Sequence, residues 1–417
     1  MKLEIDQQRL LSELETLATF SDAEPPAVTR IVFTPADLRA RAWIIARCEE
    51  AGLAVRQDAV GNIFARWQGD ETAAPAVGTG SHIDAIPNAG KYDGVVGVLG
   101  GLEAIRALQR SGFRPRNSIE LLIFATEEPT RFGLGCIGSR LLSGTISHDA
   151  AEKLTDGDGE SLEKVRKEAG FSGNLQEVKL PAGYYKAFVE LHIEQGPLLE
   201  RSQISIGIVE RIAAPASLRI SLQGSGGHAG GVLMPGRQDA LCAAAELILE
   251  IESAARSSGA VDTVATVGIC EVFPGAVNSI PSRVHLTLDL RDTDGGRRDR
   301  VLQLIETQTR SISAKRRIAI EFEKLNADEP AICAPEIRAA IANSCRKHAL
   351  PFLEMVSRAY HDSLFMSRVS PAGMVFIPCR DGHSHRPDEF ASPEDFARGT
   401  LVLAESLAKL SSTEPTG

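Results

Sequence analysis

Leu10, Leu11, Leu14 and Leu17 recur at helical spacing and predict an amphipathic opening helix. Thr34-Pro-Ala-Asp-Leu reads as the capped start of a second helix running to about Glu50. Short apolar strands then alternate with helical stretches: 63–67, 76–80, 119–125 and 187–193. Between the second and third lies 94–108, a glycine-punctuated apolar helix that must pack closely on both sides. Ile119-Glu-Leu-Leu-Ile-Phe-Ala is the kind of run expected of a buried strand in a mostly parallel sheet. The class is therefore α/β.

Near Ala213-Ala-Pro the pattern changes. Strand 217–222, helix 238–255, strands 264–273 and 283–289, helix 298–313 and strand 318–325 follow in the β-α-β-β-α-β order of a ferredoxin-like α+β unit. A second hinge is expected at Asn326-Ala-Asp-Glu-Pro, after which helix 336–348, strand 374–378 and helix 393–410 resume the α/β pattern. The reading is a catalytic domain in two parts, 1–212 and 329–417, around an inserted domain, 213–328. Only the polar tail 411–417 is of low complexity.

A formal charge of −10 without a basic run argues against a nucleic-acid partner. The longest apolar stretches, such as 95–102, fall far short of a membrane span. The start does not read as secretory, and seven scattered cysteines with no C-x-x-C pair suit reduced thiols, so the expected location is the cytoplasm.

Candidate ligands cluster just after the predicted strands. Gly80-Ser-His82-Ile-Asp84 ends one, and Gly90-Lys-Tyr-Asp93-Gly opens the glycine-rich helix. Glu127-Glu128 ends another, His192-Ile-Glu194-Gln195-Gly196 a third, and His383-Ser-His385 follows the last. Open α/β sheets bind ligands outside the carboxyl ends of their strands, so these segments should converge on one crevice. Imidazoles and carboxylates suit zinc, and also manganese, cobalt or nickel. One carboxylate can bridge two cations, and another can take a proton from water beside them. Each signal alone is weak; five at four strand ends are hard to explain as surface decoration.

Together these motifs, with Arg131-Phe132 and the stretch from Ser384 to Glu389, resemble the amidase and carbamoylase branch of the dinuclear-zinc M20 peptidase superfamily. That branch includes N-carbamoyl-L-amino-acid hydrolases, allantoate and ureidoglycolate amidohydrolases and β-ureidopropionases. The resemblance implies a hydrolase of linear C–N bonds in a small ureido or amide acid, with two divalent ions, zinc foremost. It implies His82 and His192 on one metal, Asp93 as the bridge, and Glu128 and His385 on the other, with His383 a decoy. Glu127 would be the general base and proton donor, and Asp84 would orient the His82 imidazole. Gln195, His228, Asn278, Arg291 and His361 would meet the substrate. Arg291 would grip its carboxylate, and His228 would stabilise the oxyanion.

In such enzymes that histidine comes from the neighbouring subunit, which implies a homodimer through the inserted domain. Closure of that domain would complete the site. Peptidases and deacylases of the superfamily place an acidic residue where His192 stands, which disfavours the main alternative, an aminoacylase or dipeptidase. A non-catalytic binding protein is disfavoured because no ligand is missing. One departure stands out: many relatives have Ser-Gly-Ala-Gly-His-Asp-Ala where this chain has Ser357-Arg-Ala-Tyr360-His361-Asp362-Ser363, which should reshape the substrate pocket.

Overall fold

In the computed structural model, which describes residues 3–412, the Thr34 hydroxyl accepts from the Asp37 amide and Pro35 opens helix Pro35–Glu50. The opening helix, Gln7–Ala18, buries Leu10, Leu14 and Leu17. The chain divides into two compact units. One is built from residues up to Glu210, Ile332–Ser357, and the segment from His361 onward. The other comprises Arg211–Ala331 with Arg358–Tyr360.

The first unit carries a nine-stranded sheet. Its centre is four parallel strands in the spatial order Ala372–Ile377, Tyr185–Ile193, Ala76–His82 and Ile119–Phe124. All residues of the last two are buried, the polar Thr79, Ser81, His82 and Glu120 included, as in a sheet covered on both faces. The flanks are antiparallel: Ile206–Ile212 on one side, Ile63–Trp67 and then Ala54–Gln57 on the other. The expectation of a mostly parallel sheet therefore holds for its centre and not for its edges. Only Asp58–Asn62 joins the two outer strands, and a parallel crossover needs about a dozen residues or more.

Helix Val95–Arg110 follows strand Ala76–His82 and packs on the sheet through its glycines. A Cβ on Gly97 would collide with the Leu191 carbonyl, and one on Gly101 would lie 2.8 Å from Leu121 Cδ1. This helix leads to Ile119–Phe124 on one side of Ala76–His82, whereas Tyr185–Ile193 lies on the other. The carboxyl ends of Ala76–His82 and Tyr185–Ile193 thus flank a topological switch point, where ligands of such sheets collect.

In the second unit, four antiparallel strands lie in the order Val264–Phe273, Arg283–Asp292, Ala214–Gln223 and Ala319–Ala327. Helices Ala240–Ser257 and Gly295–Arg316 interleave with them in sequence. Leu218, Ile220 and Leu222 line one face and pack with Leu247, Ile251 and Ile305. Of the predicted polar tail, Ser411 and Ser412 end helix Pro393–Ser412, and 413–417 lie outside the described residues.

Candidate metal centre

His82 is the last residue of strand Ala76–His82, and His192 lies one residue before the end of Tyr185–Ile193. Both imidazoles are buried. His82 Nδ1 lies 3.0 Å from the Asp84 carbonyl and His192 Nδ1 2.9 Å from the Ile193 carbonyl. A carbonyl only accepts, so each Nδ1 carries a proton, and Nε2 is left as the nitrogen that can ligate a cation. Both Nε2 atoms face Asp93 Oδ1, at 3.8 Å from His82 and 3.2 Å from His192. Gly94 makes room for this: it has a φ of 66°, and any Cβ there would strike the His82 ring.

The other oxygen of Asp93 serves a second group. Asp93 Oδ2 lies 3.1 Å from His385 Nε2, which is 3.5 Å from Glu128 Oε1. Two sets of three donors, His82, Asp93 and His192, and Asp93, Glu128 and His385, therefore share one carboxylate. Gln195 Nε2 donates to Asp93 Oδ2 at 2.8 Å, and the Ser384 hydroxyl lies 2.9 Å from the same oxygen. The Asp84 carboxylate accepts from the Glu127 and Glu128 amides at 3.3 and 3.0 Å, so it fixes that turn; it lies 3.7 Å from His82 Nδ1. Glu127 Oε2 lies 3.6 Å from His82 Nε2, and Cys136 Sγ lies 3.4 Å from Glu127 Oε1.

The electrostatics of this cluster call for positive charge. Burial, then the neighbouring Glu128 charge, pushes Glu127 well above the usual carboxylate range. Burial and Asp93 push Glu128 up to about 8 and Glu389 up to about 7. Asp93, despite burial, is held well below its ordinary value by His192 and His385. Burial works against a charge on His192, yet its hydrogen bond to Asp93 holds it up at about 9. His385 reaches about 9 through the same carboxylate. Bound cations would neutralise carboxylates that otherwise compete for protons, and the inward-facing Nε2 atoms would ligate them once deprotonated. The donor set therefore fits divalent metal ions. Four non-glycine residues with left-handed backbone, Thr126, Cys136, Gln195 and His385, sit in these segments, where strain gathers at functional sites.

Other expected site residues fall elsewhere. His383 is 3.5 Å from Asp388 and in neither set, whereas His385 faces Asp93. His361 is buried, its ring 4.5 Å from that of His192, with Nε2 3.0 Å from the Ser357 hydroxyl. Glu190, which is held by the Ser81 and Ser363 hydroxyls, forms with His192 and His361 a third group of donors close together. In the second unit His228 is exposed on the short strand Gly227–His228, which pairs with Ser279–Ile280 beside exposed Asn278. His228 Nδ1 accepts from the Gly230 and Gly231 amides at 3.1 Å each, so its proton sits on Nε2. Arg291 forms a bidentate pair with Asp289 and lies 5.5 Å from the Tyr360 ring centre. Sequence reading assigned no role to Glu389, Ser384, Cys136 or Glu190; only the run from Ser384 to Glu389 offered a signal.

Residues 78–409 match the family described as peptidase family M20/M25/M40. The chain belongs to that family. Ureidoglycolate hydrolase of Arabidopsis thaliana is 51% identical over 416 residues, covering 98% of this chain and 87% of that protein. The N-carbamoyl-L-amino-acid amidohydrolase of Pseudomonas sp. (strain NS671) is 36% identical over 412 residues, covering 97% and 98%. The crystal structure of AtUAH in complex with (S)-hydroxyglycine superposes with a TM-score of 0.91 at 50% identity, covering 98% of each chain. This M20 family member lies in the amidase and carbamoylase branch, and it is a hydrolase of carbon–nitrogen bonds other than peptide bonds.

Proposed function

We propose that this M20 amidohydrolase holds two divalent cations and hydrolyses the terminal ureido group of ureidoglycolate. The observation that carries the reading is that both oxygens of one carboxylate, Asp93, are used, each by a different set of donors. The substrate assignment is supported by the ureidoglycolate hydrolase relative, whose identity exceeds that of the carbamoylase relative, 51% against 36%, at equal coverage of this chain to within a point.

His82, His192 and Asp93 would hold one ion, and Asp93, Glu128 and His385 the other. Zinc suits these donors, as does manganese. When bound, such ions supply Lewis acidity and lower the pKa of water. Glu127 Oε2 accepts a proton from the water that attacks the ureido carbonyl carbon. It then returns that proton to the departing nitrogen as the C–N bond breaks. His228, with its proton fixed on Nε2, donates to the oxyanion. Arg291 and Asn278 bind the substrate's carboxylate and polar groups, Arg291 leaving Asp289 to do so. One water is consumed, and ammonia, carbon dioxide and hydroxyglycine result.

The reading includes a homodimer formed through the second unit. Its support is strand Val264–Phe273, which lies at the sheet edge over ten residues with Val264 and Ile269 exposed. An unprotected apolar edge invites strand pairing with another copy. Light scattering coupled to gel filtration tests this: a dimer is expected, and a monomer that stays monomeric at high concentration contradicts it.

The substrate is tested by ammonia release from ureidoglycolate, allantoate, N-carbamoyl-L-amino acids and β-ureidopropionate, with N-acetyl amino acids as controls. Ureidoglycolate is expected to be turned over with the highest kcat/KM. Preference for another ureido acid would reassign the substrate within the branch, and activity confined to the N-acetyl controls would contradict the ureido reading.

A further inference from the structure

Glu389 belongs to neither donor set, yet it joins the two segments that meet at Asp93. Its side chain is buried, and its Oε1 accepts from the backbone amides of Tyr92 at 2.8 Å and of Asp93 at 3.2 Å. The Ser384 hydroxyl stands 2.9 Å from both Glu389 Oε2 and Asp93 Oδ2 and shares its one proton between the two carboxylates. Gly90 completes the cradle, since a Cβ there would overlap the Glu389 side chain.

We propose that Glu389 is the positioning residue for Asp93, and that it governs cation binding by the Asp93–Glu128–His385 set more than by the His82–Asp93–His192 set. This rests on the two-metal reading above. The two sets are braced differently. His82 and His192 are buried at strand ends, with rings fixed by backbone carbonyls. His385 is exposed, has a φ of 59°, and sits in the loop that Glu389 ties down. Through Ser384, Glu389 orients Asp93 Oδ2, the oxygen that faces His385. The first set would keep its geometry from the strands without Glu389; the second would lose the brace that holds its oxygen and its loop in register.

The role needs hydrogen bonds of the right shape rather than a charge. A glutamine at 389 can still accept from the Tyr92 and Asp93 amides. Its Nε2 can donate to Ser384 Oγ, which leaves the hydroxyl proton for Asp93. An alanine can do neither.

The test is titration of metal-free protein with Mn2+ against a competing chelator, for wild type, E389A, E389Q and S384A. Thermal unfolding of the metal-free forms provides a control for folding. Wild type should take up two equivalents. E389A should bind one equivalent with nearly unchanged affinity and the other about 10- to 100-fold more weakly, the usual cost of losing a residue that orients a ligand. S384A should show the same pattern more weakly, and E389Q should restore the wild-type curve. Two unchanged affinities in E389A, or equal weakening of both, overturns the proposal. So does an E389Q variant as impaired as E389A, which would mean that charge and not shape is at work. Wild type binding only one equivalent contradicts the two-metal reading itself, and with it the second set on which Glu389 is to act.

Discussion

The two units present histidine in opposite chemical forms, and the backbone decides which. In the first unit His82 and His192 donate from Nδ1 to backbone carbonyls, which leaves Nε2 as the nitrogen turned toward Asp93. In the second unit His228 Nδ1 accepts from two glycine amides, so its Nε2 carries a proton outward. The first arrangement would suit a metal ligand, and the second a hydrogen-bond donor to a developing oxyanion, as proposed above. Burial follows the same division. The metal-facing histidines of the strand ends are enclosed, while His228 and Asn278 are exposed on a small two-stranded ribbon. A ligand site needs donors fixed before the ion arrives, whereas a substrate-binding group has to remain open.

Variants on either side of this division should separate metal uptake from turnover. The largest effect is expected from Glu127→Gln, which keeps the shape and removes the proton acceptor. Turnover should fall by roughly 10²- to 10⁴-fold while metal content stays at two equivalents. Near-normal turnover would remove Glu127 from its role. His228→Ala should lower kcat by about 10²- to 10³-fold, again with metal content unchanged. If metal is lost instead, the contrast between the two kinds of histidine collapses. Arg291→Ala should raise KM roughly 10- to 100-fold, from loss of a charge-assisted pair of about 1.5–3 kcal/mol, with little change in kcat. An unchanged KM would return Arg291 to a structural pairing with Asp289.

A smaller and graded effect comes from pH. In the metal-free protein His192 and His385 are held protonated up to about 9 by Asp93, and a metal must displace those protons. Because both values are raised, the protons are bound below about 9, so metal affinity should weaken as pH falls from 9 toward 7. The slope is about tenfold per pH unit for each proton displaced. Affinity that is flat over this range, measured by chelator competition, would contradict the proton count.

Much of the fold was legible because it is written in apolar runs and caps. Strands 63–67 and 264–273 occur with the predicted bounds, and the strand that ends at Ile193 and the helix that opens at Pro393 were placed to within a few residues. Strands Ile206–Ile212 and Phe352–Ser357 were not foreseen. The first carries Glu210 and Arg211 amid its apolar residues, and the second is only partly buried, so neither shows a clean period of two. The candidate donors were picked out by their place after predicted strands and by the motifs that carry the family resemblance, and the structure brings them together around Asp93. Glu389 and Ser384 were assigned no role, since their roles depend on a meeting of residues 92 and 93 with residues 384 and 389 that no local spacing encodes. His361 is expected from its motif to meet the substrate; the structure buries it with its ring 4.5 Å from that of His192.

The central claim, a two-metal amidohydrolase of ureidoglycolate, is met most directly by adding Zn2+ or Mn2+ in steps to metal-free protein while following ammonia release from ureidoglycolate. The account predicts no release without metal and a rate that climbs until two equivalents per chain are bound. Full activity in metal-free protein, or no ammonia at any metal loading, would contradict it.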